Sequence, residues 1–122
     1  MKYRLFSLPI YSPRLFVVVG KTTGQELYDL IFKKFGVKMP KLKKEVAGAD
    51  GCCNRKDDLI VMWLHGIRGN AAIDTLCHES AHAAMETLRF SGMRYVNSAN
   101  EEAFAYLIGH VVQTTLNWWR RK

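Results

Sequence analysis

The sequence predicts an α+β domain, a small antiparallel or mixed sheet with about three helices packed on it. Three observations lead there. Two β-rich apolar runs open the chain, a stronger one stands at Leu59 to His65, and helical periodicity follows the second and third runs. The resulting order β, β, α, loop, β, α, α groups strands with strands and helices with helices, the α+β pattern. A length of 122 residues makes one domain, residues 1–122, large enough to bury a core without disulfide staples.

The first two runs are Tyr3 to Ile10 and Leu15 to Val19. Tyr11-Ser12-Pro13-Arg14 between them reads as a turn, so an early hairpin is expected. Thr23 and Glu26 form the capping box T-x-x-E, in which each side chain satisfies a free amide of the helix start. Leu27, Leu30, Ile31 and Phe35 follow at helical spacing and Gly36 stops the pattern, which predicts a helix over Gly24 to Phe35. Val37 to Asp58 is first basic, then rich in Gly and Asp, and has no steady period. A long loop is expected there, with room for a short strand near Cys52.

Leu59-Ile60-Val61-Met62-Trp63-Leu64-His65 is the strongest strand signal and ends before Gly66 and Gly69. Asn70 can cap a helix from Ala71 to about Phe90. Gly92 lies in the break, and a last helix is expected from Ala99 to about Trp119.

Lys and Arg number 18 against 11 acidic residues, a net charge of +7 that favours anionic partners. Much of the excess is local, in the lysines from Lys33 to Lys44 and in Arg120, Arg121 and Lys122. No nucleic-acid motif accompanies it, so a solvated basic face is the simpler reading, with nucleic acid as a further class of partner. Three cysteines, Cys52, Cys53 and Cys77, make an odd set without paired spacing, which does not read as a disulfide framework. Pro9, Ser12, Pro13 and Arg14 interrupt the opening apolar stretch, and no segment has the length of a membrane span. A cytoplasmic protein without a membrane partner is the expectation.

The chemistry is concentrated in Cys77-His78-Glu79-Ser80-Ala81-His82, which contains H-E-x-x-H. Residues four apart share a helix face, so both imidazoles can reach one ion. Glu79, one step round from His78, points beside that ion and can take a proton from water. Zinc brings the pKa of such a water to about 7 and polarises a carbonyl, which permits hydrolysis at neutral pH. Ala81, Ala83 and Ala84 suit close packing around such a site.

His78-Glu79-x-x-His82, followed by Glu102 in Asn100-Glu101-Glu102-Ala103-Phe104-Ala105-Tyr106, resembles the gluzincin pattern of zinc metallopeptidases, and the short chain resembles small phage- or prophage-borne zincins. The resemblance covers about Leu59 to Val112. It implies a zincin-like core with H-E-x-x-H on the central helix, one Zn2+ held by His78, His82 and Glu102, and Glu79 as general base toward a peptide or protein substrate. The far wall that larger members add is missing, so an oxyanion donor must come from Tyr95, Tyr106 or His65. Tyr106, one turn beyond Glu102, reads equally as a catalytic donor or as a core tyrosine.

Ser98-Ala99-Asn100-Glu101 fits S-x-x-E, which would engage Glu101 in a capping box and leave Glu102, about 100° further round, for the metal. A cap at Asn97 would remove that distinction. Asp74 could orient an imidazole from behind. His65 reads as structural or substrate-edge, and His110 is rotated off the Glu102 face. Cys77 reads as a buried core residue, whereas Cys52 and Cys53 would meet the metal only if their loop folds over the helix. The alternative function is a zincin-like binding module with a structural metal, contacting an acidic protein or nucleic acid through its basic loop.

Overall fold

The computed structural model describes residues 1–121. Its architecture follows from two strands that are apolar on both faces. β2 (Arg14–Val19) and β4 (Leu59–Leu64) read almost continuously apolar, as strands covered on both sides do. They pair in parallel at the centre of a four-stranded sheet ordered β1-β2-β4-β3, with Val17 opposite Met62. The outer strands, β1 (Lys2–Ser7) and β3 (Gly51–Lys56), run antiparallel to their neighbours. The sheet is therefore mixed.

The early hairpin is present, with Lys2 opposite Val19 and Ser7 opposite Arg14, but its first strand is shorter than Tyr3 to Ile10. Pro9 has no amide to donate, and Ile10 takes a left-handed φ of 58°, so pairing stops at Ser7. The loop expected between Val37 and Asp58 is more ordered than its composition implied. It holds a single helical turn, α2 (Leu42–Glu45), and then all of β3, so the described residues form four helices. β3 has poor strand propensity in Gly-Cys-Cys-Asn-Arg-Lys. It pairs because Asp57, at φ 52°, tolerates the left-handed turn that folds it back on β4.

Side-chain alternation divides the core into two layers. Phe16, Val18, Val61 and Trp63 face α1 (Gly24–Phe35) and α2, where Leu27, Ile31 and Leu42 meet them. Each such side chain contributes roughly 1.5–3 kcal/mol by leaving water. Trp63 is buried and donates its indole N–H to the Gly20 carbonyl at 2.9 Å. On the other face Val17, Val19, Ile60, Met62 and Leu64 pack against α3 (Asn70–Phe90) and α4 (Glu101–Arg120) through Leu76, Ala83 and Val111. The capping box of α1 is formed, with Glu26 N donating to Thr23 Oγ1 at 3.1 Å and Thr23 N to Glu26 Oε1 at 3.3 Å. Gly36 closes that helix at φ 67°.

The starts of α3 and α4 depart from the sequence expectation. α3 includes Asn70, takes Gly69 as its capping residue, and has no side-chain cap. α4 begins at Glu101, and Ser98 does not cap it. Instead Asn100, buried, accepts from Asn97 N at 2.7 Å and donates to the Tyr95 carbonyl at 2.9 Å, while Asn97 accepts from Ala99 N at 2.8 Å. Asn side chains compete better than Ser for such local amide bonds, and two of them occupy this turn. Among the described residues, no helix is long and apolar enough to cross a membrane.

Candidate metal centre

α3 has a seam of small and apolar residues: Leu76, Ser80, Ala83 and Thr87 are fully buried or nearly so. Their 3–4-residue spacing presses one side of the helix onto the sheet. Thr87 returns its hydroxyl to the Ala83 carbonyl at 2.8 Å, which satisfies it without a partner from another element. The opposite side is left to solvent, and His78 and His82 stand on it, both exposed. Glu79 lies between these sides, facing β3, and is buried.

β3 comes close because it has no side chain at Gly51. A Cβ there would lie 3.0 Å from Glu79 Cγ. Further along, Arg55 of β3 donates from Nε to Glu86 of α3 at 2.9 Å, and Arg89 binds the other oxygen of Glu86 at 2.6 Å. Gly51 and Arg55 thus fix the edge strand along the flank of α3 that carries Glu79 and Glu86.

The imidazoles converge. His78 Nε2 and His82 Nε2 are 3.2 Å apart, with ring centroids at 4.8 Å and planes at 72°. One ligand atom each from His78, Glu79 and His82 lies within 4.8 Å of the others. Two nitrogens bound at 2.0–2.1 Å to a tetrahedral ion would be about 3.3 Å apart, so the separation of this pair matches that of two ligands on one metal ion. Burial pushes the Glu79 carboxyl above its ordinary pKa, His82 and His78 draw it back in part, and Glu45 adds a smaller upward push. Such a carboxyl is a better proton acceptor than a solvated one.

No family model, curated protein or solved structure matches this chain.

The remaining candidates are spread more widely. Glu102 lies exposed in the first turn of α4 and is not part of the His78–Glu79–His82 group. α4 buries Leu107, Val111 and Thr115, and five residues of helix turn Glu102 about 140° away from Leu107. Glu101 is exposed as well, and without a Ser98 capping box it has no structural occupation that sets it apart from Glu102. Tyr106 is 55% exposed and stacks on His110 at 5.9 Å, so it is not the core tyrosine that the sequence allowed. His65 is exposed at the end of β4, edge-on to Trp63, and Asp74 is exposed one turn before His78.

The cysteines divide between the faces of β3. Cys52 points into the α1 layer and Cys53 packs against the α3 layer. Burial, with Glu45 and Glu79 nearby, pushes the Cys52 thiol up to about 12, and burial likewise holds Cys53 well above the usual thiol range. Burial thus disfavours the thiolate at both positions. Neither joins the group around His78. Cys77 is exposed rather than buried, on a flank of α3 that neither the sheet nor α4 covers.

The contribution of Gly51 was hidden in the sequence, because nothing local connects it with Glu79. The lysines of the basic segment are partly engaged on the protein's own surface. Lys34, Lys38 and Lys43 sit 4.7, 6.0 and 4.3 Å from the ring centroids of Tyr3, Phe32 and Tyr28.

Proposed function

We propose that the chain is a zinc-dependent hydrolase, most simply a peptidase, built as a minimal zincin. The observation that carries this reading is the pair of imidazole nitrogens 3.2 Å apart with a buried carboxylate on the next residue. His78 and His82 would hold the ion through Nε2. When bound, zinc would supply a Lewis acid that acidifies water and polarises a substrate carbonyl. Glu79 would accept a proton from water at a carboxylate oxygen and pass it to the leaving amine. Its Cγ lies against Gly51 and a carboxylate oxygen lies within 4.8 Å of the imidazole nitrogens, on the side where the proton would be accepted. Glu102 is proposed as the third ligand on the resemblance described above, with Glu101 as its competitor in the same helical turn.

The test is zinc analysis of the purified protein joined to a peptide-library digest. About one zinc per chain, and cleavage that disappears in Glu79→Gln, would support the proposal. A parent chain without zinc after growth in zinc-replete medium would refute it. Glu102→Ala and Glu101→Ala, compared for zinc retention, decide between the two carboxylates.

A further inference from the structure

Away from the His78–His82 pair, three separate segments bring four cations to one cleft of about 610 Å³. Lys2 comes from the start of β1, Arg68 from the β4–α3 connection, and Arg120 and Arg121 from the end of α4. Among the described residues, no carboxylate lines the cleft and no ion pair includes any of the four. Like charges brought together without a counter-charge repel one another, and a bound anion relieves that cost.

The floor of the cleft is apolar. Ile67, Ile73, Leu116 and Trp119 form it, and Lys2 Nζ lies 5.0 Å from the centroid of the Trp119 ring. A bare inorganic anion would leave this wall unused. Three guanidinium forks suit phosphate, and an indole beside them suits a flat ring. The volume falls within the roughly 300–1,000 Å³ of small-ligand sites.

We propose that this cleft binds a nucleoside phosphate, with the phosphate among Lys2, Arg68, Arg120 and Arg121 and the base against Trp119. It shares no residue with the His78–Glu79–His82 group, so it stands independently of the zinc reading. The same chemistry is presented by a free nucleotide and by a nucleotide within a single strand, and affinity separates the two sources.

Isothermal titration of the full chain with adenosine 5′-monophosphate, a short single-stranded oligonucleotide, adenosine and inorganic phosphate is the experiment. Saturable binding of the monophosphate or the oligonucleotide is expected, at least tenfold tighter than adenosine or phosphate and weakening as salt rises. Tighter binding of the oligonucleotide would assign the site to a strand, and tighter binding of the monophosphate to a free nucleotide. Arg68→Gln and Arg120→Gln should each weaken binding several-fold while circular dichroism and melting stay unchanged. Trp119→Leu, which keeps an apolar wall, should lower affinity for the monophosphate but not for inorganic phosphate. Absence of saturable binding at millimolar ligand, equal affinity for phosphate and nucleotide, or unchanged binding in folded Arg68→Gln and Arg120→Gln would overturn the proposal.

Discussion

Gly51 of β3 lies against Glu79 of α3 so closely that a Cβ at position 51 would meet Glu79 Cγ at 3.0 Å and Thr75 Cγ2 at 2.8 Å. The Trp63 carbonyl, also 3.0 Å from that point, blocks retreat toward β4. Gly51→Ala should therefore destabilise the fold by about 1–3 kcal/mol, the usual cost of overpacking. On the proposed hydrolase reading it should also reduce cleavage more than zinc content, because the carboxylate is displaced while the imidazoles on the outer face are not. Urea denaturation and metal analysis of one preparation check both parts.

Removing either imidazole breaks the pair. On the proposed zinc reading, His78→Ala and His82→Ala should each lose most of the metal that the parent retains. A chelator should lower the melting temperature of the parent and leave both variants unchanged, since only a metal-binding native state gains stability from the ion. Equal zinc content in parent and variants would dismiss the site.

Glu79→Gln keeps the shape and gives up the base. Zinc content should stay near that of the parent while any peptide cleavage falls by about a hundredfold or more, the usual scale for an acid–base group. Cleavage at the parental rate would show that another group moves the proton.

Glu86 links β3 to α3 through Arg55 and Arg89 and carries a testable pH dependence. Burial alone would raise its pKa, but hydrogen bonds and charge from Arg89 and Arg55 outweigh it and hold the carboxyl below the usual range. Its stabilising contribution is thus fully present above the unfolded value of about 4.3 and is lost as pH falls through that value toward the folded one. Glu86→Gln should cost about 1 kcal/mol at pH 7, where Arg55 and Arg89 both lose their counter-charge but remain partly solvated. The difference from the parent should shrink as pH falls from 5 to 3 in denaturation curves. A constant difference across that interval would mean that the network is not electrostatic.

The turn before α4 separates two polar side chains. Asn100→Ala removes bonds to Asn97 and Tyr95 at a buried position and should cost about 1–3 kcal/mol, as when buried polar groups lose their partner. Ser98→Ala should cost less than about 0.5 kcal/mol, as for a surface residue without a bond to lose. Thermal melts that rank the two in the opposite order would restore the S-x-x-E cap.

The three long helices, the hairpin and the central strand were legible because each is written locally. Thr23 and Glu26 announce α1 three residues apart, and the apolar runs of β2 and β4 need no partner to be recognised. His78, Glu79 and His82 come together for the same reason, since one helix places all three. β3 was harder, because Gly-Cys-Cys-Asn-Arg-Lys becomes a strand only when β4 offers it an edge. The start of α4 was harder too, because Asn97 and Asn100 bond within the turn before it and leave the helix without a side-chain cap, which depends on the course of the chain from Tyr95 onward. Whether Glu102 reaches the imidazoles depends on helix–helix packing, and spacing along the chain does not encode it.

The parallel pairing of β2 with β4 also orders events during synthesis. The β1–β2 hairpin can form as soon as Val19 emerges, yet its inner edge, from Arg14 to Val19, has no partner until residues 59–64 follow. Throughout that interval Leu15, Val17 and Val19 lack the layer that α3 and α4 later supply. A nascent chain that stalls before Leu59 therefore presents an unpaired apolar strand, the kind of surface that holding chaperones bind and that aggregates when they are scarce.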